Sequence, residues 1–318
     1  MRALALACCF ALLLAAPARA DDELPCRVDE VLGEVAASLL LAADEPDADR
    51  LAAALREAGS DLPAARLFRG AAPDLAPLRR HADGPLVCGE AEGARGRLLV
   101  VAVRGGSLAP LGDARFRVEV EDGFEPRYVA WVDAEGRMDR APVRAGAVVT
   151  VPEELAHPIH LQLVAAGPAG PRPVAERVVG ESSGAPLLAS DGTLAERLEA
   201  LRAHHGASSL RPNRLLDAEA RRHAGRLCRE RRAVHTPEPG EDPTRRLRRR
   251  GIEARVVGEV VARARSEDRA FDALVRSPSH RMTLVDRRFT DVGVGSVEGE
   301  GGRCVVVSLA AWPRFVGR

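Results

Sequence analysis

The spacing of apolar residues changes twice along this chain, and each change demands a different architecture. Between residues 24 and 92 the apolar positions keep helical spacing. Val28, Val31, Leu32 and Val35 are followed by Leu39 and Leu40, then by Leu51 and Leu55 in a segment that Gly59 ends. Asp61-Leu62-Pro63 offers a third helix start, so residues 21–92 are expected to form a small helical N-terminal domain. From Gly96 to about Gly180 the period falls to two. Leu98 to Val103 is a continuous apolar strand, and Phe116, Val118 and Val120 alternate with charged residues. Tyr128 to Val132, Val148 to Val151, His160 to Val164 and Val174 to Val179 follow, separated by turns rich in Gly, Pro and Asp. Short strands at this spacing predict a β-sandwich over residues 95–180, immunoglobulin-like in kind. Residues 181–191, with Ser182-Ser183-Gly184-Ala185-Pro186, read as a linker.

Helical spacing returns in residues 192–318. Thr193-Leu194-Ala195-Glu196 is a capping box, Leu194, Leu198 and Leu201 line one face, and Gly206 ends the helix. His204 and His205 fall in its last turn, where charged imidazoles suit the negative helix end. A second helix from near Asp217 puts Ala220, Ala224, Leu227 and Cys228 on one face, with His223 beside it. A short helix over 244–250, one from Glu267 to Arg276, and strands at Asp291 to Val297 and Arg303 to Ala310 complete the region.

The N-terminus carries Arg2, an apolar run from Ala3 to Ala16 and then Pro17-Ala18-Arg19-Ala20. Residues 1–20 therefore read as a signal peptide cleaved after Ala20, which predicts a secreted or periplasmic protein. The run is too short to span a bilayer comfortably, and no later segment is long and apolar enough to do so. Cys8 and Cys9 leave with the leader, and three pairings of Cys26, Cys88, Cys228 and Cys304 are formally possible. Their positions favour Cys26 with Cys88 and Cys228 with Cys304, in an oxidising compartment. The formal net charge is zero, with all basic side chains arginine, so bulk electrostatics points to neither nucleic acid nor membrane. The arginines from Arg221 to Arg255 are interleaved with Glu230, Glu238, Glu241, Asp242 and Glu253 and lack stacking aromatics. They read as a solvated surface, and no nucleic-acid partner is expected.

The chemistry concentrates between Val257 and Gly295. Gly258-Glu259-Val260 carries one carboxylate in an apolar run, and Ser277-Pro278-Ser279-His280-Arg281 combines a cap with a proline suited to the first helical position. His280 then sits in the first turn, where the positive helix end favours the neutral ring. Phe289-Thr290-Asp291-Val292-Gly293-Val294-Gly295 enters a buried strand, and His235 stands in a loop after a strongly periodic helix. In this order the pieces resemble the CAP superfamily (cysteine-rich secretory, antigen 5 and pathogenesis-related 1 proteins), especially its bacterial secreted branch, over about residues 190–313. Val260 replaces the family's Asn after Gly-Glu, Leu274 stands where a Trp is usual, and no second glutamate is evident.

The resemblance implies an α-β-α three-layer sandwich for 192–318, so the whole chain is expected to be α+β. It also implies that His235, Glu259 and His280 line a cleft, with a divalent metal associated with the two histidines in some members. Two histidines, a carboxylate and water are a composition that zinc accepts. Two functions follow as expectations. One is a non-catalytic module that binds an envelope or extracellular ligand, a lipid or polysaccharide. The other is a metal-dependent hydrolase using His235, Glu259 and His280. Neither Ser277 nor Ser279 has the small-residue elbow of a serine nucleophile. His157 and His160 flank Pro158 without a completing ligand and read as a strand entry.

Overall fold

The computed structural model describes residues 26–312 except 43–45, 71–72, 181–191 and 301. The expected signal peptide and linker lie outside the described residues. The first region comprises β1 (Arg27–Val28), α1 (Glu30–Leu41), α2 (Ala48–Glu57), β2 (Arg66–Arg69), α3 (Ala76–His81), β3 (Leu86–Gly93) and β4 (Gly96–Val103). Its strands form one sheet in the order β1-β3-β4-β2. The core joins Leu32, Val35 and Leu39 of α1 to Val87, Leu98 and Val100 of the sheet. The helical expectation for 21–92 thus misses a sheet. A four-residue strand such as β2 is too short for periodicity to separate it from a helical turn. Asp61 does not start a helix, because its carboxylate accepts from the Leu108 backbone N–H at 3.0 Å. Leu98 to Val103 is a strand as expected, but it pairs with β3 and β2 rather than with the sandwich.

The middle region is a β-sandwich of β5 (Gly106–Gly112), β6 (Arg115–Val120), β7 (Glu125–Val132), β8 (Met138–Pro142), β9 (Val148–Thr150), β10 (Ile159–Gly167) and β11 (Gly170–Val179). One sheet runs β11-β10-β7-β8 and the other β5-β6-β9. Alternate residues of both face inward, so Leu108, Phe116 and Val118 pack with Val129, Leu161 and Leu163.

The last region contains α4 (Leu194–His204), β12 (Arg211–Pro212), α5 (Arg214–Glu230), α6 (Pro243–Arg248), β13 (Val256–Ala264), α7 (Glu267–Arg276), α8 (Pro278–Leu284), β14 (Asp291–Gly299) and β15 (Gly302–Ala311). The sheet order is β12-β14-β15-β13, which leaves β13 at an edge. Alternation splits the sheet between two cores. Val260, Val305 and Val307 pack with Leu198, Phe271 and Leu284 of α4, α7 and α8. Val261, Cys304 and Val306 pack with Ala220, Ala224 and Leu227 of α5 on the other face. This is the expected α-β-α sandwich, and the whole chain is α+β.

The Val-Gly-Val-Gly sequence has a direct physical cause. A Cβ on Gly293 would lie 2.1 Å from the Leu216 carbonyl carbon, and one on Gly295 would lie 2.2 Å from that of Ala220. Only glycine lets the α5 backbone rest on β14 this closely. Disulfides join Cys26 to Cys88 and Cys228 to Cys304, the pairing expected.

Candidate functional site

Glu259 lies on the edge strand β13 and faces α5, because its neighbours Val260 and Val261 alternate between the two cores. Its side chain is 3% exposed. A carboxylate in such a place needs partners for both oxygens. One oxygen accepts from His235 Nδ1 at 3.0 Å, and the other pairs with a guanidinium nitrogen of Arg246. His223 Nε2 stands 3.7 Å from the first oxygen. Burial pushes the Glu259 carboxyl up, but the His235 hydrogen bond and the charges of Arg246 and His223 outweigh it and leave the group below the usual range. An ionised carboxylate only accepts, so Nδ1 of His235 carries the hydrogen of this bond.

Arg246 closes this half of the site. The α6 cap places it, with Asp242 accepting from the Arg245 backbone N–H at 3.0 Å. Its guanidinium donates to the backbone oxygens of His235 at 2.5 Å and Glu241 at 2.7 Å. It also lies 3.3 Å from Glu219 of α5. Arg246 therefore fastens the loop bearing His235 to both α5 and the sheet. His223 Nε2 donates to the Val234 oxygen at 3.0 Å, and burial lowers the affinity of its ring for a proton.

His280 approaches from α8, on the side of the sheet opposite α5. Ser277 caps that helix through the His280 backbone N–H at 3.5 Å, and Pro278 occupies its first turn. Burial, followed by the nearby charge of His235, pushes His280 down to about 3, so the ring is neutral. The structure thus hydrogen-bonds Glu259 to His235 and brings His280 within electrostatic reach of His235. Among the described residues no hydrogen bond joins the His280 ring to either.

Glu259 does not fit a divalent ion. Both Glu259 oxygens are engaged, one of them by a cation, and Arg246 would oppose a second positive charge there. Among the described residues no three His, Cys, Asp or Glu side chains stand grouped as ion ligands. A surface hollow of about 330 Å³ lies elsewhere, lined by Arg265, Ser266, Glu298, Gly299, Gly302 and Arg303. It touches none of the three predicted site residues.

Sequence reasoning passes over Arg246, Glu219 and His223. Arg246 sits in a run read as a solvated surface, yet its side chain is 8% exposed. The signal is faint: it precedes the buried pair Leu247 and Ile252, while Arg245 and Arg248 stay in water. Other members of the run do form a surface lattice, as with Arg226 and Glu230 at 2.6 Å. His205 also departs from expectation. Burial and the charge of Arg281 push it down to about 4, so it is a neutral ring rather than a cation at the helix end.

The C-terminal region is thus a short sheet layered between helices, with an edge-strand carboxylate held by a loop histidine. Residues 195–309 match the family model described as CAP, the cysteine-rich secretory protein family, and the C-terminal part of this chain is a CAP domain. Similar solved structures include an outer surface protein from Borrelia burgdorferi, 21% identical with a TM-score of 0.36, over 38% of this chain and 90% of that one. An extracellular protein containing an SCP domain from Bacillus anthracis is 15% identical with a TM-score of 0.35, over 64% of this chain and 91% of that one. A cysteine-rich secretory protein from Staphylococcus aureus is 10% identical with a TM-score of 0.30, over 62% and 80%. No curated protein matches the sequence. Among the described residues no helix is long and apolar enough to cross a membrane.

Proposed function

We propose that the CAP domain serves an exported bacterial protein as a non-catalytic binding module. Its ligand is an envelope or extracellular component, a lipid or polysaccharide, taken through the cleft flanked by His235, Glu259 and His280. The observation that carries this reading is the Arg246–Glu259 pair. A carboxylate held below its usual range, with a histidine on one oxygen and an arginine on the other, is a weak general base, and the guanidinium opposes a metal ion beside it. What remains are Nε2 of His235, which Glu259 does not engage, and the neutral ring of His280, and both suit hydrogen bonding to a ligand. The two disulfides accord with an oxidising compartment. The competing reading, a metal-dependent hydrolase, needs Glu259 or a metal-bound water free to act, and Arg246 opposes both.

The test takes the purified mature chain beside His235→Ala and His280→Ala. Zinc is measured by elemental mass spectrometry. Binding is measured by co-sedimentation with phosphatidylglycerol vesicles and with an insoluble cell-wall polysaccharide. The expected result is no stoichiometric zinc, and retention on one of the two probes that falls about five-fold in His280→Ala, the worth of one neutral hydrogen bond. A stoichiometric zinc ion that both substitutions release, with hydrolysis lost alongside it, overturns the proposal.

A further inference from the structure

The β-sandwich touches the CAP domain on both sides of the candidate cleft. At His235, the turn between β10 and β11 lies against the loop: the Thr236 backbone N–H donates to the Ala169 oxygen at 3.0 Å. Gly170 in that turn comes so close that a Cβ there would stand 3.1 Å from Thr236 Oγ1 and 3.4 Å from His235 Cβ. At His280, Gln162 of β10 is buried, and its side-chain oxygen accepts from Ser277 Oγ at 2.8 Å, Ser279 Oγ at 2.8 Å and the Ser279 backbone N–H at 3.2 Å. Both serines precede His280 in sequence, within three residues of it. The amide nitrogen of Gln162 donates to Glu176 of β11 at 3.2 Å, which fixes the amide's orientation. A third contact lies at the β7–β8 turn, where a Cβ on Gly136 would stand 3.4 Å from the His205 ring.

One strand, β10, therefore reaches the His280 helix with Gln162 and the His235 loop with its terminal turn. We propose that the sandwich is an intramolecular cap on the His235–His280 cleft, and that the cleft opens to solutes when the sandwich lifts from α8 and from the Thr236 loop. The cap regulates the site assigned above and rests on that assignment for its purpose. Its geometry, however, can be tested without any ligand. The hydrogen bonds across this contact are made by Gln162 and the Ala169 oxygen, whereas the Glu259 network beneath is internal to the CAP domain and stays with it.

The experiment measures carbethoxylation of each histidine by diethyl pyrocarbonate in the full mature chain at pH 7.5, read by peptide mass spectrometry. His157, which is exposed, sets the open rate, and His223, which is buried against α5 and the sheet, reports opening of the CAP domain itself. In the wild type, His280 is expected to react about ten-fold more slowly than His157, as for a group reached only by a local opening. Gln162→Ala removes the acceptor of three hydrogen bonds and is expected to raise the His280 rate at least about three-fold, with His223 unchanged. Gly170→Val, which drives a side chain into the Thr236 loop, is expected to raise the His235 rate in the same way.

A wild-type His280 as reactive as His157 overturns the cap. So does an unchanged rate in both variants, or a rise at His223 equal to that at His280, since then the CAP domain rather than the sandwich is opening. Failure of the vesicle and polysaccharide probes leaves these labelling results untouched, so the cap and the binding reading fail separately.

Discussion

His235 and His280 flank the same edge strand but are held in opposite ways. His235 belongs to a charged lattice in which Glu259 takes its Nδ1 hydrogen and Arg246 grips its backbone oxygen. Among the described residues His280 has no such partner. Its position comes from a capped helix turn whose serines are bonded to Gln162 of another domain. A fixed ion pair makes the first half rigid and internal to the CAP fold. The second half depends on how one domain sits on another, and under the proposed cap it changes when the sandwich lifts.

The largest test of that contrast removes Arg246. Arg246→Met leaves a buried carboxylate without its cation and is expected to cost about 3–5 kcal/mol of stability, as for other broken buried pairs. Urea unfolding of the full chain measures it, and a loss below about 1 kcal/mol would mean that the lattice is decorative. Gln162→Ala comes next. Stranding the Ser277 and Ser279 donors is expected to cost about 1–3 kcal/mol, localised to the sandwich–CAP contact. Hydrogen exchange should therefore rise in α8 and stay constant in β15.

Acid separates the two halves further. His160 on β10 is pushed down to about 4 by burial and by the charges of Arg281, Arg56 and Arg276, which face it from α8, α2 and α7. His205 is pushed down to about 4 by burial, Arg281 and its neighbour His204. Both groups hold a proton less readily in the folded chain than the ordinary 6.5. Their contribution is complete above pH 6.5 and is lost as the pH falls toward 4. Each unit is worth about 1.4 kcal/mol at a well-buried ring and less at His205, which water partly screens. Glu259 is depressed below its ordinary 4.5, so its contribution persists to lower pH and is lost only as the pH falls through its own lowered value. Hydrogen exchange followed beside urea stability between pH 7 and 4 should show α8 losing protection before β15 does. If α8 and β15 lose protection together, the two halves are one unit.

The smallest effect is a control. Ser266 caps α7 through the Arg269 backbone N–H at 3.3 Å, away from both histidines. Ser266→Ala is expected to cost about 1 kcal/mol and to leave the relative labelling of His235 and His280 unchanged.

Much of this molecule was legible one residue at a time. The capping box at Thr193, the Ser277-Pro278 helix start, the α7 limits and both cysteine pairs could be read because each depends on local geometry or on which side of an element faces inward. The N-terminal sheet was not legible beyond the strand Leu98 to Val103. Its β1 is only Arg27–Val28 and pairs with Val87 and Cys88 across about sixty residues, so no local period records it. Arg246 was hidden for a related reason. Arginine in a charged run looks the same whether it meets water or a buried carboxylate.

The sequence by itself determined the change from helical to two-residue spacing and back, the cysteines, and the motif residues His235, Glu259 and His280. It could do so because apolar periodicity and turn chemistry are written in neighbouring residues. Only the tertiary structure decided that Glu259 answers to Arg246 and that Gln162 sits on the His280 turn. Those pairings join residues far apart in the chain. Burial selects them, since a desolvated charge or amide must take the partner that folding sets beside it.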